Sequence, residues 1–394
     1  MSVNTNLAGA SNEVLQEVLS AYSDEAYTNA RKLSGTDIVG GNPLIDTNTE
    51  TFVGQIRWHS PLNPTVNVAS LTDATDGTVT TYSSDYLKYI KTVRTNGAKK
   101  VNMQQVVTQI DGLAKIGRDF GETQGQDEHD SILAVLKGVA LSEALMGAAS
   151  ATGQAGLGGQ NFDNDPTEMR NGFYVDLGSE KVVSAATSAN QGAARAEAFL
   201  MAMGMAYKDY EPPFAYLITS PEVVASLRSA NLVDQDRVVD GSVEFNTIFQ
   251  GKLRLIQTRA AQGLTAAERT KVNTGAGVDI VGAKTSFIVL PGALAMENLA
   301  VPEPTEIDRN ASSYKGGGTT TIWRRWGYVL APAGYDWVGD EEAFPTNEAY
   351  RYVIEAGTGK TLVTATNALA DTTGTWKRKT ASALSLGILP VFHA

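Results

Sequence analysis

Glu355 to Thr361 reads EAGTGKT, and its last three residues match the end of a loop that cradles nucleotide phosphates. That loop follows G-x-x-x-x-G-K-S/T between a buried strand and a helix. Its first glycine lets the backbone curl until several N–H groups face one phosphate. Counting back from Gly359 puts Ile354 at the first-glycine position. A β-branched residue resists the dihedrals that the curl needs. Downstream, residues 361–371 (TLVTATNALAD) are rich in threonine and lack an amphipathic helical pattern. The segment is expected to be a strand, a glycine turn and a second strand.

Other candidates for chemistry also lack their context. The three histidines are His59, His129 and His393, and nothing in the sequence brings them together with a serine and an aspartate. Asp127, Glu128, His129 and Asp130 offer metal-ligand types, but H-E-x-x-H is absent and adjacent helical residues point in different directions. Asp163, Asn164 and Asp165 begin like a calcium loop, yet Thr167 and Glu168 stand where the third ligand and the glycine belong. Gly156, Gly158 and Gly159 follow a helical pattern, where a dinucleotide fingerprint must follow a strand. Gly316, Gly317 and Gly318 precede a strand rather than a helix. Arg324 and Arg325, between Trp323 and Trp326, could stack on nucleic acid. Adjacent strand residues face opposite sides, so a subunit contact or a cation–π role is favoured. No catalytic, cofactor-binding or metal-binding residue is assigned, no cofactor is expected, and the chain is read as a non-enzyme.

The elements that would position these residues are legible in part. Residues 12–33 place Val14, Leu15, Val18, Leu19, Tyr22, Ala26 and Tyr27 at helical spacing, with Gly35 as a stop. Residues 65–71 and 78–82 are β-prone around an Asp76-Gly77 turn, and 86–94 (YLKYIKTVR) is strand-like. This region has too few apolar residues to bury two sheet faces. It reads as a two-stranded arm over 51–105 whose removal, for residues 62–94, would leave the core intact. Residues 127–149 give the strongest helix, with Asp127, Glu128 and Asp130 in its first turn facing the positive end of the dipole. A helix is expected over 188–207, a strand over 214–219, and a helix from Ser220-Pro221 to Asn231. Strands are expected at 252–258, 287–290, 319–331 and 384–392. The pattern is α+β.

Composition narrows the classes. The chain has 394 residues, 42% of them hydrophobic, which is enough for a substantial core. It has no cysteine, so disulfides and cysteine zinc sites are excluded. The net charge of −11 argues against a broad nucleic-acid-binding face, though not against lining a container that must hold DNA loosely. The N-terminal residues lack a secretory pattern, and no 18-residue apolar run suggests a membrane span.

The order of the pieces carries a resemblance. After the arm come Ile116-Gly117-Arg118-Asp119-Phe120 and, in the helix, Leu133-Ala134-Val135-Leu136-Lys137-Gly138-Val139. Tyr216 to Val223 (YLITSPEV), Leu227 to Leu232 (LRSANL), Gly251 to Leu255 (GKLRL) and Gly292-Ala293-Leu294 follow. Glu303 to Arg309 (EPTEIDR), Gly316 to Thr319 and Gly327 to Trp337 (GYVLAPAGYDW) complete the series. In this order the chain resembles a tailed-bacteriophage major capsid protein, of the capsid fold shared with encapsulins and the herpesvirus capsid floor, over roughly residues 50–340 plus the last strand.

The resemblance implies an N-terminal arm and helix (1–50), an extended β-hairpin loop (51–105) and a peripheral domain with a long spine helix (106–185). An axial domain (186–310) and a return strand with a C-terminal segment (311–394) complete it. It implies a self-assembling icosahedral shell enclosing double-stranded DNA, located in the virion and made in the host bacterial cytoplasm. The implied partners are copies of the chain in pentamers and hexamers, reached through the 51–105 loop and the N-terminal arm. Scaffold, decoration and portal proteins would join them, with non-specific contact to packaged DNA and no membrane. An encapsulin-like cellular shell and a cytosolic nucleotide-using enzyme stand as alternatives.

Overall fold

The computed structural model describes residues 12–59, 84–101, 112–148, 173–176, 196–207, 212–229, 233–240, 243–248, 251–258, 264–270, 284–351, 353–355, 359–361, 373–379 and 386–393, except positions 32 and 43. In chain order the elements begin with α1 (Asn12–Ala30), β1 (Val39–Gly40), β2 (Val53–His59), β3 (Ser84–Val101) and α2 (Gly112–Ala148). Then come β4 (Val175–Asp176), α3 (Ala196–Tyr207), β5 (Ala215–Thr219), α4 (Pro221–Ser229), β6 (Val233–Asp240), β7 (Val243–Ile248) and β8 (Leu253–Gln257). β9 (Lys284–Val289), β10 (Leu294–Asn298), β11 (Thr305–Asn310), β12 (Thr319–Pro332) and β13 (Tyr335–Trp337) follow. The chain closes with β14 (Val353–Glu355), β15 (Gly359–Thr361), β16 (Thr373–Gly374), β17 (Trp376–Arg378) and β18 (Ile388–His393). The α+β expectation holds.

Two larger sheets share one core. The first runs β1-β10-β12-β3-β2, with β11 on the distal part of the β12 edge that β10 leaves open. The second runs β4-β18-β9-β5-β8-β7-β6 and is antiparallel except where β4 meets β18 and β5 meets β8. β5 and β8, being parallel, need a crossover, and the intervening chain includes α4. Leu136 and Val139 of α2, Ile90 and Leu330 of the first sheet, and Leu217 and Ile288 of the second belong to one contiguous buried cluster.

Element lengths explain how the first sheet and α2 fit. α2 has 37 residues, about 55 Å at 1.5 Å per residue. β3 has 18 residues, about 60 Å at about 3.3 Å each. The two run antiparallel, because Arg94 meets Asp127 while Lys100 lies beside Gly112. β12 pairs with β3 from Thr319↔Val101 to Leu330↔Ile90.

This corrects the reading of Tyr86–Arg94. The strand exists, but it is no leg of a freestanding ribbon. β3 lies inside the sheet between β2 and β12, and Leu87, Tyr89 and Ile90 are buried. The sequence looked too polar because residues 44–51 cover part of one face, with Lys91 buried and bonded to Asp46, Asn48 and Thr51. A cut through residues 62–94 would remove core. The β-prone runs at 65–71 and 78–82 lie outside the described residues.

The helix expected from Asp127 starts at Gly112 instead. The physical reason is a row of glycines. Gly117 faces Leu19 and Tyr22, Gly121 faces Ser23, Ala26 and Tyr27, and Gly125 faces Ala30. Both series ascend together, so α1 and α2 pack in parallel with their backbones nearly touching. Spaced four apart, these glycines look like helix breakers, yet they are what admits α1. Asp127, Glu128, His129 and Asp130 therefore sit mid-helix, not at a dipole end.

Glycine substitutions should separate propensity from packing. Gly204 in α3 has open space at its missing Cβ, so Gly204→Ala should stabilise by about 0.5–1 kcal/mol. At Gly121 a Cβ would lie 2.1 Å from the Ser23 carbonyl oxygen and 2.7 Å from the Tyr27 nitrogen. Gly121→Ala should destabilise by about 1–3 kcal/mol despite the same propensity gain. Thermal unfolding of the two variants should move in opposite directions, and a common direction would refute the close-packing assignment.

Candidate functional site

Among the described residues, several polar groupings bring chemistry-bearing side chains together. The most connected surrounds Asp127. Trp326 Nε1 donates to its carboxylate at 3.1 Å and the Tyr328 hydroxyl at 2.8 Å, and Arg94 pairs with it at 3.4 Å. Arg94 also donates to the Pro345 carbonyl at 2.6 Å and to Asn347 Oδ1 at 3.1 Å. Ser131 Oγ bridges Tyr328 and Asn347, while Thr92 and Tyr350 share a short hydrogen bond. Burial, with Asp127 nearby, raises the Tyr328 phenol far above its ordinary value, and burial pushes the Tyr350 phenol up to about 12. Both rings are hydrogen-bonding struts rather than acids. Trp326 and Tyr328, two apart on β12, share one strand face and both carry a donor. That was the signal in the sequence for a buried acceptor opposite.

Glu128 is buried one residue on. It accepts from Tyr27 at 2.7 Å and from Ser34 at 3.0 Å, tying α1 and the turn after it to α2. Burial raises its carboxyl, while the hydrogen bonds from Tyr27 and Ser34 oppose the shift. Farther along α2, Glu143 is fully buried, accepts from the Phe173 backbone N–H at 2.6 Å and meets Arg378 at 3.4 Å. Glu268 accepts from Arg351 on both carboxylate oxygens, at 2.7 and 2.6 Å. Lys137 lies near this pair, and burial, aided by the Arg351 charge, pushes its amine down to about 8.

The histidines occupy separate places. His393 Nε2 lies 2.8 Å from Ser286 Oγ, which lies 2.7 Å from Thr219 Oγ1. The first distance suits a nucleophile and its base. All three residues are fully buried under α3, where the Phe199 ring stands edge-on to the imidazole. His129 Nε2 faces Thr258 Oγ1 at 3.3 Å. His59 ends β2, opposite Ser84.

The other singled-out motifs resolve similarly. Ile354↔Lys360 and Glu355↔Gly359 are antiparallel strand partners in β14 and β15, as expected for EAGTGKT, while residues 356–358 lie outside the described residues. Gly156, Gly158, Gly159 and Asp163 to Glu168 also lie outside them. Gly316 to Gly318 close a hairpin loop before β12. Arg324 and Arg325 do face opposite sides of β12, but each has an acidic partner. Arg324 pairs with Asp24 at 3.3 Å and Arg325 with Glu306 at 2.6 Å. A guanidinium lies over a ring elsewhere, where Arg254 sits 3.9 Å from the Phe214 centroid. Among the described residues no three His, Asp or Glu side chains are grouped to hold a metal ion. No helix there is long and apolar enough to cross a membrane.

What the molecule exposes is surface. Leu44, Phe52, Tyr86, Tyr314 and Trp323 are large apolar side chains left open. An open groove of about 410 Å³ runs between α1 and α2, lined by Glu25, Ala26, Asn29, Ala30, Arg118, Glu122 and Gln126. The sequence reading missed both features, since an exposed aromatic in a strand pattern is indistinguishable from a core one.

No family profile and no curated protein sequence matches the chain. Solved structures do align with it. The capsid asymmetric unit of cyanophage Pam1 is 13% identical over 79% of this chain and 88% of that one, with a TM-score of 0.43. The acid-stable capsid structure of Helicobacter pylori bacteriophage KHP30 is 9% identical over 92% and 91%, with a TM-score of 0.44. The capsid of Ralstonia phage GP4 is 12% identical over 76% and 84%, with a TM-score of 0.43.

Lys137 supplies a pH test. Its folded value, about 8, lies below the ordinary lysine value of 10.5, so the unfolded chain binds the extra proton between those limits. The penalty is full below pH 8 and fades toward pH 10.5. Stability from this group therefore rises with pH across that window. Lys137→Met should raise Tm at pH 7 by about 2 °C and abolish the rise above pH 8. The raised phenols lower stability above pH 10 in both proteins and cancel in the comparison. Parallel Tm–pH curves for the two proteins would contradict the assignment.

Proposed function

We propose that this chain is a major capsid protein of a tailed bacteriophage, which self-assembles into an icosahedral shell around double-stranded DNA. The observation that carries the reading is the reach of the β3–β12 ribbon. These strands, of 18 and 14 residues, run on past β2 and β10 to a distal end covered by β11, α1 and α2 through Ile307, Leu19 and Phe120, and the buried polar clusters join helix to strands rather than line a pocket. A protein whose polar chemistry is spent inside, and which leaves Tyr86, Tyr314 and Trp323 open along one ribbon, is built to be covered by neighbours. The net charge of −11 suits a wall that confines DNA without adhering to it.

In this reading the chain is not an enzyme, and its location is the virion, after synthesis in the host bacterial cytoplasm. Residues 1–50 form the N-terminal arm and helix, 51–105 carry the extended loop between β2 and β3, 106–185 and 311–394 form the peripheral domain, and 186–310 the axial domain. The sheets exchange strands across these limits, with β10 and β11 in the first sheet and β18 in the second. The axial region meets its copies in pentamers and hexamers. The loop and the arm reach neighbouring subunits, and scaffold, decoration and portal proteins complete the particle.

The loop gives the test. His59 and Ser84 are paired residues at the open end of β2 and β3, so a turn of about two residues can join the strands directly. Replacing residues 60–83 with such a turn should leave a folded subunit, by circular dichroism and thermal melting, that forms no closed particles by sedimentation and electron microscopy. Wild-type protein should form them, and DNA rather than protein inside would separate a phage head from a cellular shell. Closed particles from the shortened chain would show that the loop is no assembly element.

A further inference from the structure

The β11–β12 hairpin ends in a loop whose hydrogen bonds, among the described residues, stay within the loop. Tyr314 and Lys315 have φ of 50° and 51°, followed by Gly316 at 88°. Two consecutive side-chain-bearing residues in the left-handed region are strained. Hydrogen bonds impose the conformation. Gly317 N–H donates to the Tyr314 carbonyl at 3.1 Å, Gly318 N–H to the Ser313 carbonyl at 2.9 Å, and Asn310 Oδ1 accepts from Ser312 N–H and Oγ. The loop therefore holds a tyrosine outward at 66% exposure with a lysine beside it. The ribbon end is basic on an acidic chain, where Lys99, Lys100, Arg309 and Lys315 outnumber Asp308.

The groove between α1 and α2 is its complement. Its floor carries Ala26 and Ala30, small enough to leave room for a ring, and Glu25 and Glu122 are exposed at its sides. Arg118, also lining it, lies over the Tyr22 ring at 5.6 Å. Two carboxylates, Glu25 and Glu122, line the groove against the one guanidinium. The loop does not return to the groove of its own chain. From Arg324, which meets Asp24, the strand runs outward five residues to Thr319, roughly 17 Å, before the loop begins.

Resting on the shell reading, we infer that Tyr314 and Lys315 of one subunit dock into the α1–α2 groove of a second copy. The ring lies against Ala26 and Ala30, and Lys315 pairs with Glu25 and Glu122. Such a contact joins two different patches of identical chains and so propagates around a ring or shell. The strained loop is the rigid half of the joint, so little ordering entropy is lost on docking.

Charge reversal tests it on the full chain. Lys315→Glu should cut the yield of closed particles about tenfold, with circular dichroism and melting unchanged. Tyr314→Ala should do the same while Tyr314→Phe assembles. Adding Glu25→Lys and Glu122→Lys to Lys315→Glu should restore particles. If Lys315→Glu or Tyr314→Ala assembles like the wild type, or the triple variant stays defective, the docking is overturned and the shell reading stands. If the wild type itself forms no particles, the shell reading falls and the docking with it.

Discussion

One carboxylate fixes how the longest helix lies on the longest strands. Asp127 receives donors from Trp326 and Tyr328 of β12 and pairs with Arg94 of β3, so α2 can slide along neither strand without losing three partners. Hydrogen bonds to a charged acceptor are stronger than neutral ones, and each donor left unsatisfied in a half-buried site adds its own cost. Arg94 passes the restraint on to Pro345 and Asn347, which brings the chain after the first sheet into the same joint.

The other buried charges repeat this arrangement at other heights along the helix. Glu128 holds the end of α1, Lys137 lies near the Glu268–Arg351 pair, and Glu143 takes the Phe173 N–H and Arg378. Apolar contacts along a helix buried on nearly all sides, as α2 is from Ile132 to Leu145, do not by themselves choose a register. Paired polar groups do, because a shift by one turn would bury them unpaired. Their value here lies in specifying one alignment of helix against strands more than in net stability.

Much of this was legible in the sequence, and the failures have physical causes. β12 and β18 were recognisable from apolar β-branched and aromatic runs, and the reading of EAGTGKT as two strands about a turn agrees with the pairing of β14 and β15. The start of α2 was missed because Gly117, Gly121 and Gly125 lower helix propensity, and their compensation is a contact with α1 about a hundred residues away. Asp127 and Glu128 were credited to the helix dipole for the same reason. β3 was judged too polar for a core because Lys91 is neutralised by a loop that precedes it in sequence. Each error is a long-range partner overriding a local signal. Nothing in the sequence joined His393 to Ser286, because β18 and β9 meet only in the folded sheet.

The parallel course of α1 and α2 has a consequence for the order of folding. Two helices joined by a short turn pack antiparallel; a parallel pair requires the chain to travel back the full length of the bundle between them. Here that return is made through β3, which ends beside the start of α2. The surface that α1 recognises thus exists only after β3 and α2 have been laid down, and closing so long a loop carries an entropy cost that a nearby partner would avoid. α1 is the last of these three elements to be secured. Its ties to β11 and β12, from Gln16 to the Thr305 carbonyl and from Ser20 and Asp24 to Arg324, wait on sequence still farther along the chain.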